Sequence, residues 1–303
     1  MELSDLVSVI MPCYNSMKTI EEAVRSVIHQ HHQNWELIIV NDASLDDSNI
    51  IIDRLSKEDI RVKVIHLKTN GGLPNARNSA IPLINGKWVT FLDSDDYWYP
   101  EKLSSQIAFH HKNKQYLISH TAFTTFVNDI NEVKQAGSLS DLTDKKSGDL
   151  LRQLLWKNSI GVLTVMMDSN LFRNLNGFNS RLKTLEDNDL WIRVAVGGYE
   201  FGYINSPLAA YRISSGGISK TLGKYKRAYK VFLNLHQKLA IENGVQSLGI
   251  GNYYRYFGTE YFKLKNYKLA KLYFSKSASY LRYNWLNILN LVYLIILKVR
   301  GAK

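Results

Sequence analysis

Short apolar runs alternate with amphipathic segments over about the first third of this 303-residue chain. The runs are short and rich in β-branched residues, as buried strands are, while the segments between them repeat apolar residues at helical spacing. The pattern predicts strands at 7–11, 35–40, 62–65 and 88–92, and helices at 19–28, 46–55, 75–84 and 100–111. This alternation indicates an α/β fold with a mainly parallel sheet and helices on both faces.

Polar residues follow three of the four predicted strands. They are Tyr14-Asn15 after the first strand, Asp42-Ala43-Ser44 after the second, and Asp93-Ser94-Asp95-Asp96 after the fourth. In open parallel sheets, ligands bind in the crevice outside the carboxyl ends of the strands. We therefore expect these three segments to converge on one site.

The acidic segment after the fourth strand places three carboxylates within four residues, Asp93, Asp95 and Asp96. Carboxylates so close repel one another unless a cation lies among them. Hard divalent cations take oxygen ligands, commonly one or two carboxylates together with phosphate oxygens. The segment thus predicts a Mg²⁺ or Mn²⁺ site, and a solvated acidic turn is the alternative for a lone motif of this kind.

The middle of the chain is less regular. Strand-like runs lie at 116–127 and 162–167, a polar stretch at 128–147 predicts a loop, and an amphipathic helix begins near 184. Glu186, Asp187 and Asp189 come at the start of that helix, where acids suit the helix dipole. Three acids exceed what capping requires, which makes them candidates for chemistry.

Positive charge is concentrated in the last part of the chain. Residues 221–303 carry 15 basic and two acidic side chains, a net charge of +13, whereas residues 1–220 are close to neutral at −2. Helical patterns fill this part, at 225–241, 253–264 and 267–281. The charge predicts an anionic partner. No nucleic-acid-binding module is recognisable, so we expect a membrane surface and no nucleic acid.

The apolar run at 285–297 is followed by Lys298 and Arg300 and is interrupted by Asn287 and Asn290. A membrane span needs roughly 20 apolar residues, more than this run offers. Two readings stay open: a helix in the interface of an anionic membrane, and a last helix packed on the domain. The single cysteine, Cys13, fits a reducing compartment, and the first residues lack the pattern of a secretory signal.

Six segments together resemble the family 2 nucleotide-sugar glycosyltransferases of the bacterial surface-polysaccharide kind, which have the GT-A fold, a Rossmann-like mixed sheet. They are VSVIMPCYN (7–15), VNDASLDDS (40–48), NGGLPNARN (70–78), FLDSDD (91–96), EDNDLWIR (186–193) and YRISSGGIS (211–219). They occur in the order the family has. The resemblance covers about residues 7–220 and implies a GT-A domain at 1–220. The basic helical region at 221–303 lies outside it, and its charge alone predicts association with a membrane.

The resemblance also assigns residues to the donor, a nucleotide-sugar and most simply a UDP-sugar. Arg77 would reach the ribose, the diphosphate or the Asp93 carboxylate, and a structural ion pair with an acid is the alternative. The loop after residue 213 would close over the product diphosphate. The implied donor-binding residues are Pro12, Tyr14, Asn15, Asp42, Asn70, Gly71, Arg77, Asp93, Ser94 and Arg212.

Asp95, with Asp93, resembles the family's ligand for Mg²⁺ or Mn²⁺, and Asp187 resembles its catalytic base. Glu186, Asp189 and Asp96 would act around them, on the acceptor side or through water. The resemblance implies an inverting, metal-dependent enzyme that adds one sugar to a glycan or lipid-linked saccharide. It would work in the cytoplasm, peripheral on the inner face of the cell membrane.

Two other classes of function are alternatives to a glycosyltransferase. A nucleotidyltransferase on a similar sheet needs a glycine-rich phosphate loop after the first strand, and Cys13-Tyr14-Asn15-Ser16 has no glycine. A non-catalytic membrane adaptor would use the basic tail alone.

Overall fold

The computed structural model describes residues 5–132, 135–137, 146–213, 222–282 and 286–299. The chain divides into two compact units. One comprises Met1–Leu150 and Ser159–Ser214, and the other comprises Leu151–Asn158 and Ser215–Lys303. The short segment Leu151–Asn158 therefore belongs with the C-terminal helices, a partition that nothing in its sequence indicates.

The first unit alternates strands and helices along the chain. Its elements are β1 Val7–Cys13, α1 Ile20–Ile28, β2 Trp35–Asn41, α2 Ser48–Glu58, β3 Val62–His66, α3 Leu73–Ser79, β4 Trp88–Phe91, β5 Tyr97–Trp98, α4 Lys102–Lys112, β6 Ile118–Phe126, β7 Gln135–Gly137, β8 Met166–Asp168, α6 Ser169–Asn174, α7 Glu186–Val196 and β9 Phe201–Arg212, with α5, Leu151–Leu154, falling in the second unit. Short 3₁₀ turns lie at Ile81–Leu83, Ile130–Glu132 and Val162–Thr164.

The described strands form one mixed sheet in the order β3-β2-β1-β4-β8-β6-β9-β5, with β7 paired to β6. β3, β2, β1 and β4 are parallel to one another. β8 is antiparallel to both β4 and β6, and β9 runs parallel to β6. The mixed α/β fold predicted from the strand and helix pattern is confirmed.

Burial explains why the first strands form where they do. Every residue of β1, β2 and β4 is buried, so continuous apolar runs are accommodated between covering layers. Helix α1 packs Ile20, Ala23, Val24 and Val27 into the same core. The sheet is thereby held rigid beneath the loops that leave its carboxyl edge.

Two predictions about strands were wrong. The first strand does not end before Pro12, as the predicted range 7–11 has it, but continues to Cys13. Pro12 lies beyond Ile10–Phe91, the last β1–β4 pair, so its missing N–H costs no ladder bond. Val162–Thr164, predicted as the start of a strand, form a 3₁₀ turn, and the strand β8 begins only at Met166. The long strand β9 had no counterpart among the predicted elements.

The second unit is helical. It contains α8 Leu222–Leu235, α9 Gln237–Glu242, α10 Gln246–Lys263, α11 Tyr267–Tyr280 and α12 Leu286–Val299. Ala270, Phe274 and Leu297 form a small core between α11 and α12. No helix in the described part of the chain combines the length and apolar character that crossing a bilayer requires.

Candidate active site

The loops that follow β1 and β2 are tied together at the carboxyl edge of the sheet. The strands end level, since Cys13 pairs with Asn41. The backbone N–H of Asn15 donates to Ser44 Oγ (3.1 Å), and the Asn15 side-chain oxygen accepts from Leu45 N (2.8 Å). Asn15 and Ala43 have φ of 51° and 58°, so both turns are left-handed at non-glycine residues. Such strain persists where surrounding contacts hold it, commonly at functional sites.

Asp42 fixes the loop that precedes α3. Its two carboxylate oxygens accept the backbone N–H groups of Gly71 and Gly72, each at 2.8 Å, and Asn70 Nδ2 donates to its carbonyl oxygen at 3.2 Å. Gly72 has φ of +83°, a conformation that favours glycine. Each carboxylate oxygen keeps a second acceptor position. The contact of Asp42 with a nucleotide base stays a prediction.

The acidic segment after β4 is a tight turn, in which Asp96 N donates to the Asp93 carbonyl at 3.0 Å. Ser94 Oγ shares a 2.7 Å hydrogen bond with Ser16 Oγ, which connects this turn to the loop after β1. Burial, together with the neighbouring Asp93 charge, raises the pKa of Asp95 to about 6. Burial, and then the charges of Asp95 and Asp93, also raise the pKa of Asp96.

Arg212, at the end of β9, holds the acidic turn from the other side. Its backbone N–H donates to Asp96 Oδ1 (2.9 Å), and its Nε donates to the Asp95 carbonyl (2.8 Å). The guanidinium also contacts the Asn128 carbonyl and the Glu22 carboxylate. In the described contacts, Arg212 stabilises the acidic turn. Its contact with donor phosphates stays a prediction. The loop at 214–219 lies outside the described residues.

Arg77 joins the acidic turn to helix α7. Its Nη2 donates to Asp93 Oδ1 and its Nη1 to Glu186 Oε1, both at 2.6 Å, and only 1% of its side chain is exposed. Burial disfavours the charged guanidinium, but the Asp93 and Glu186 carboxylates outweigh it and raise the pKa of Arg77. The ring of Phe178 lies 5.1 Å from the guanidinium carbon. Arg77 thus forms the ion pair with acids that the sequence left open, and its contact with the ribose or the diphosphate stays a prediction.

Helix α7 begins after Leu185, which has φ of 64°, and its first turn carries the three acids. Glu186 is buried against Arg77, whereas Asp187 is half-buried and its Oδ1 accepts the N–H of Asn188 at 2.7 Å. Asp189 accepts from Arg193 Nε at 2.9 Å. Arg193 in turn donates to the carbonyls of Leu175 and Gly177, which anchors the helix.

Hydrogen bonds therefore link all the predicted motifs at one edge of the sheet. The sequence missed the residues that make several links: Ser16, Glu22, Asn78 and Phe178. Asn78 exchanges two hydrogen bonds with the backbone of Phe178, at 2.7 and 2.8 Å. Of these four residues, only Asn78 lies where the sequence indicated a structural link, because it falls inside the motif at 70–78. The others act across long sequence separations, for which a single sequence carries no signal.

The acidic turn suits a divalent cation. Asp93 and Asp95 supply hard oxygen ligands, and their mutual repulsion is the condition that a cation relieves. Across the part of the chain that the structure describes, no cluster of three or more acidic, histidine or cysteine side chains could hold an ion unaided. The donor set fits a cation shared with phosphate oxygens of a ligand.

The known proteins that this chain resembles in sequence are glycosyltransferases. The model of glycosyl transferase family 2 matches residues 8–169. TuaG of Bacillus subtilis (strain 168), a glycosyltransferase assigned provisionally to teichuronic acid biosynthesis, is 35% identical over 228 residues, covering 75% of this chain and 86% of TuaG. The Escherichia coli UDP-Glc:alpha-D-GlcNAc-diphosphoundecaprenol beta-1,3-glucosyltransferase WfgD is 32% identical over 231 residues, covering 75% of this chain and 85% of WfgD.

Solved structures share the fold. S. aureus TarS 1–349, in a complex with UDP-GlcNAc, has a TM-score of 0.66 at 19% identity, covering 90% of this chain and 81% of the TarS chain. The mannosyltransferase PcManGT from Pyrobaculum calidifontis has a TM-score of 0.61 at 15% identity, covering 97% of this chain and 86% of its own.

Replacing Arg77 tests its place in the site. Arg77→Met leaves the buried Glu186 and the partly buried Asp93 without their counter-charge, so we expect the free energy of unfolding to fall by about 3–5 kcal/mol. Arg54→Met is the matched control, because Arg54 also bridges two acids, Glu21 and Glu58, but does so at the surface. Urea unfolding should show a much larger loss for Arg77→Met. Equal losses would contradict the buried bridge.

Proposed function

Since this chain belongs to glycosyl transferase family 2, as its motifs predicted, we propose that it moves one sugar from a nucleotide-sugar to a hydroxyl of a saccharide acceptor. The donor is of the UDP-sugar type, and the transfer inverts the anomeric centre. Neither a nucleotidyltransferase nor a non-catalytic adaptor is favoured by any contact among the described residues.

One observation supports this function above the others. Arg77 contacts the acidic turn through Asp93 and the acceptor-side helix through Glu186, at 2.6 Å each. Asp187 is the next residue after Glu186, and Asp95 lies two after Asp93. A donor-binding motif and a candidate base are thus held at the same crevice, as transfer between two bound substrates requires.

On the donor side, the loops after β1, β2 and β3 hold the nucleotide. Tyr14 and Asn15 line its entrance, and Asp42 keeps the Asn70-Gly71 loop in place so that backbone approaches the ligand. Asp95, with Asp93, would hold Mg²⁺ or Mn²⁺. A bound divalent cation supplies positive charge where the departing nucleoside diphosphate becomes negative.

On the acceptor side, Asp187 takes the proton of the attacking hydroxyl. A hydroxyl is a poor nucleophile until a base removes its proton, and a half-buried carboxylate at the start of α7 is positioned for that task. Glu186 and Asp189 are committed to Arg77 and Arg193, so they orient the helix start around Asp187. Attack from the face opposite to the diphosphate produces inversion.

The acceptor is a glycan or a lipid-linked saccharide in the synthesis of a bacterial surface polysaccharide. The name of WfgD specifies a diphosphoundecaprenol-linked acceptor, and TuaG is assigned provisionally to teichuronic acid biosynthesis. Such acceptors lie in a membrane. The net charge of +13 over residues 221–303 supports a location in the cytoplasm, at the anionic inner face of the cell membrane.

A ligand panel tests the donor and the metal. We expect at least one UDP-sugar to raise the melting temperature in the presence of Mg²⁺ or Mn²⁺, because a ligand that binds only the folded state stabilises it. EDTA should remove most of the shift, and GDP-sugars serve as the comparison. If no nucleotide-sugar were bound or hydrolysed with any divalent metal, the proposed function would be wrong.

Asp187→Asn separates catalysis from donor binding. Loss of a general base lowers the turnover number by about 10²–10⁴-fold, while the dissociation constant for the nucleoside diphosphate should stay nearly unchanged. Asp168→Asn is the matched control, since Asp168 caps α6 and asparagine caps equally well. Parallel losses of donor binding and turnover in Asp187→Asn would refute its assignment as the base.

A further inference from the structure

Helix α12 carries Asn290 and Tyr293 on its inner face. Asn290, Tyr293, Leu294 and Leu297 follow the spacing of one helical face, and they pack toward α11. Asn290 is fully buried, and its Nδ2 donates to Ser277 Oγ at 2.9 Å. Ser277 Oγ donates in turn to the Gly251 carbonyl in α10, at 2.7 Å. The asparagine that interrupts the apolar run in the sequence therefore faces inward and fixes how α12 packs.

The outer face of α12 is entirely aliphatic. Ile288, Leu291, Val292 and Ile295 follow the spacing of the opposite helical face, and Leu289 lies beside them. Between 41% and 63% of each of these side chains is exposed. Single exposed apolar residues are common on protein surfaces, but a continuous row of five on one helix is typical of an interaction surface.

Exposed lysines lie on both helices of the α11–α12 pair. The contacts of Ser277 with Asn290 and of Phe274 with Tyr293 set α11 and α12 antiparallel, which places Lys271 and Lys276 level with residues 296 and 291. Lys268 and Lys298 lie toward the far end of the pair, and all four lysines are exposed. An exposed aliphatic face on a pair of helices that also carry lysines is typical of a helix that binds in the interface of an anionic bilayer.

Two partners could cover the aliphatic face of α12, a second copy of the chain or a lipid surface, and charge favours the lipid surface. The described residues of 222–299 carry 13 lysines and arginines against two glutamates. A second copy of the chain would bring two such surfaces together, and their repulsion opposes association. An anionic lipid surface is attracted by the same charge.

We propose that the outer face of α12 inserts into the interface of an anionic membrane, with the helix lying parallel to the surface. The exposed aliphatic side chains enter the boundary between headgroups and acyl chains, and the lysines contact lipid phosphates. This inference rests on the proposed function, in which a lipid-linked acceptor brings the enzyme to the inner membrane face. It adds which surface of the chain contacts the lipid.

Vesicle co-sedimentation of the full chain tests the inference. The wild type should bind vesicles that contain phosphatidylglycerol and bind those of phosphatidylcholine alone much more weakly. Ile288→Asp/Ile295→Asp should lose at least about tenfold in this binding, because two carboxylates on the inserted face are both desolvated and repelled. Ile60→Asp is the matched control, since Ile60 is 93% exposed in the first unit and should change nothing.

Donor hydrolysis by the same variants keeps the two proposals apart. Hydrolysis should be unchanged in Ile288→Asp/Ile295→Asp, so a failure of the enzyme and a failure of the membrane surface give different results. Equal vesicle binding by wild type and double variant would overturn the inference. A wild-type dimer that the double variant converts to monomer, with no vesicle binding, would assign the face to a second copy instead.

A labelled variant remains informative if the double variant folds poorly. Cys13 is the single cysteine and is buried, so Ile295→Cys can carry an environment-sensitive fluorophore selectively. Its emission should shift to the blue when phosphatidylglycerol vesicles are added, and that of a labelled Ile60→Cys should not. An unchanged emission at position 295 in vesicle-bound protein would contradict insertion of this face.

Discussion

The guanidinium of Arg77 is enclosed by protein and balanced by two carboxylates, that of Asp93 in the turn after β4 and that of Glu186 at the start of α7. Three buried or partly buried charges are tolerated only while all are present, because an unpaired charge in such surroundings is strongly destabilising. The acidic turn after β4 and the start of α7 therefore cannot move apart without breaking this contact. Donor and acceptor groups held at a fixed separation are what transfer between two substrates requires.

The remaining loops depend on one another in the same way. Asp42 holds Gly71 and Gly72, Asn15 holds Leu45, and Arg212 holds the turn at Asp95 and Asp96. Left-handed backbone at Asn15 and Ala43 is maintained by the bonds between the loops after β1 and β2. The crevice is thus preorganised by contacts between loops, with few contributed by the strands themselves.

The sequence predicted most of the first four strands and the convergence of their polar ends, because parallel sheets place those ends together by construction. It predicted less where distant segments decide the structure. Strand β9 pairs with β6 from about 80 residues away, and Arg212 reaches Glu22, on α1, across 190 positions. Asn290 shows a second limit of prediction from sequence. A polar residue within an apolar run does not reveal whether its side chain lies on the buried or the exposed face of the helix.

A double-mutant cycle on Asp93 and Glu186 tests the central contact most directly. The free energy of unfolding would be measured for wild type, Asp93→Asn, Glu186→Gln and the double variant. Either single change leaves Arg77 with one carboxylate, and the double change leaves it buried with none. We expect the double variant to lose about 1–3 kcal/mol more than the sum of the two single losses. Losses that add within about 0.5 kcal/mol would show that the two carboxylates are not coupled through Arg77.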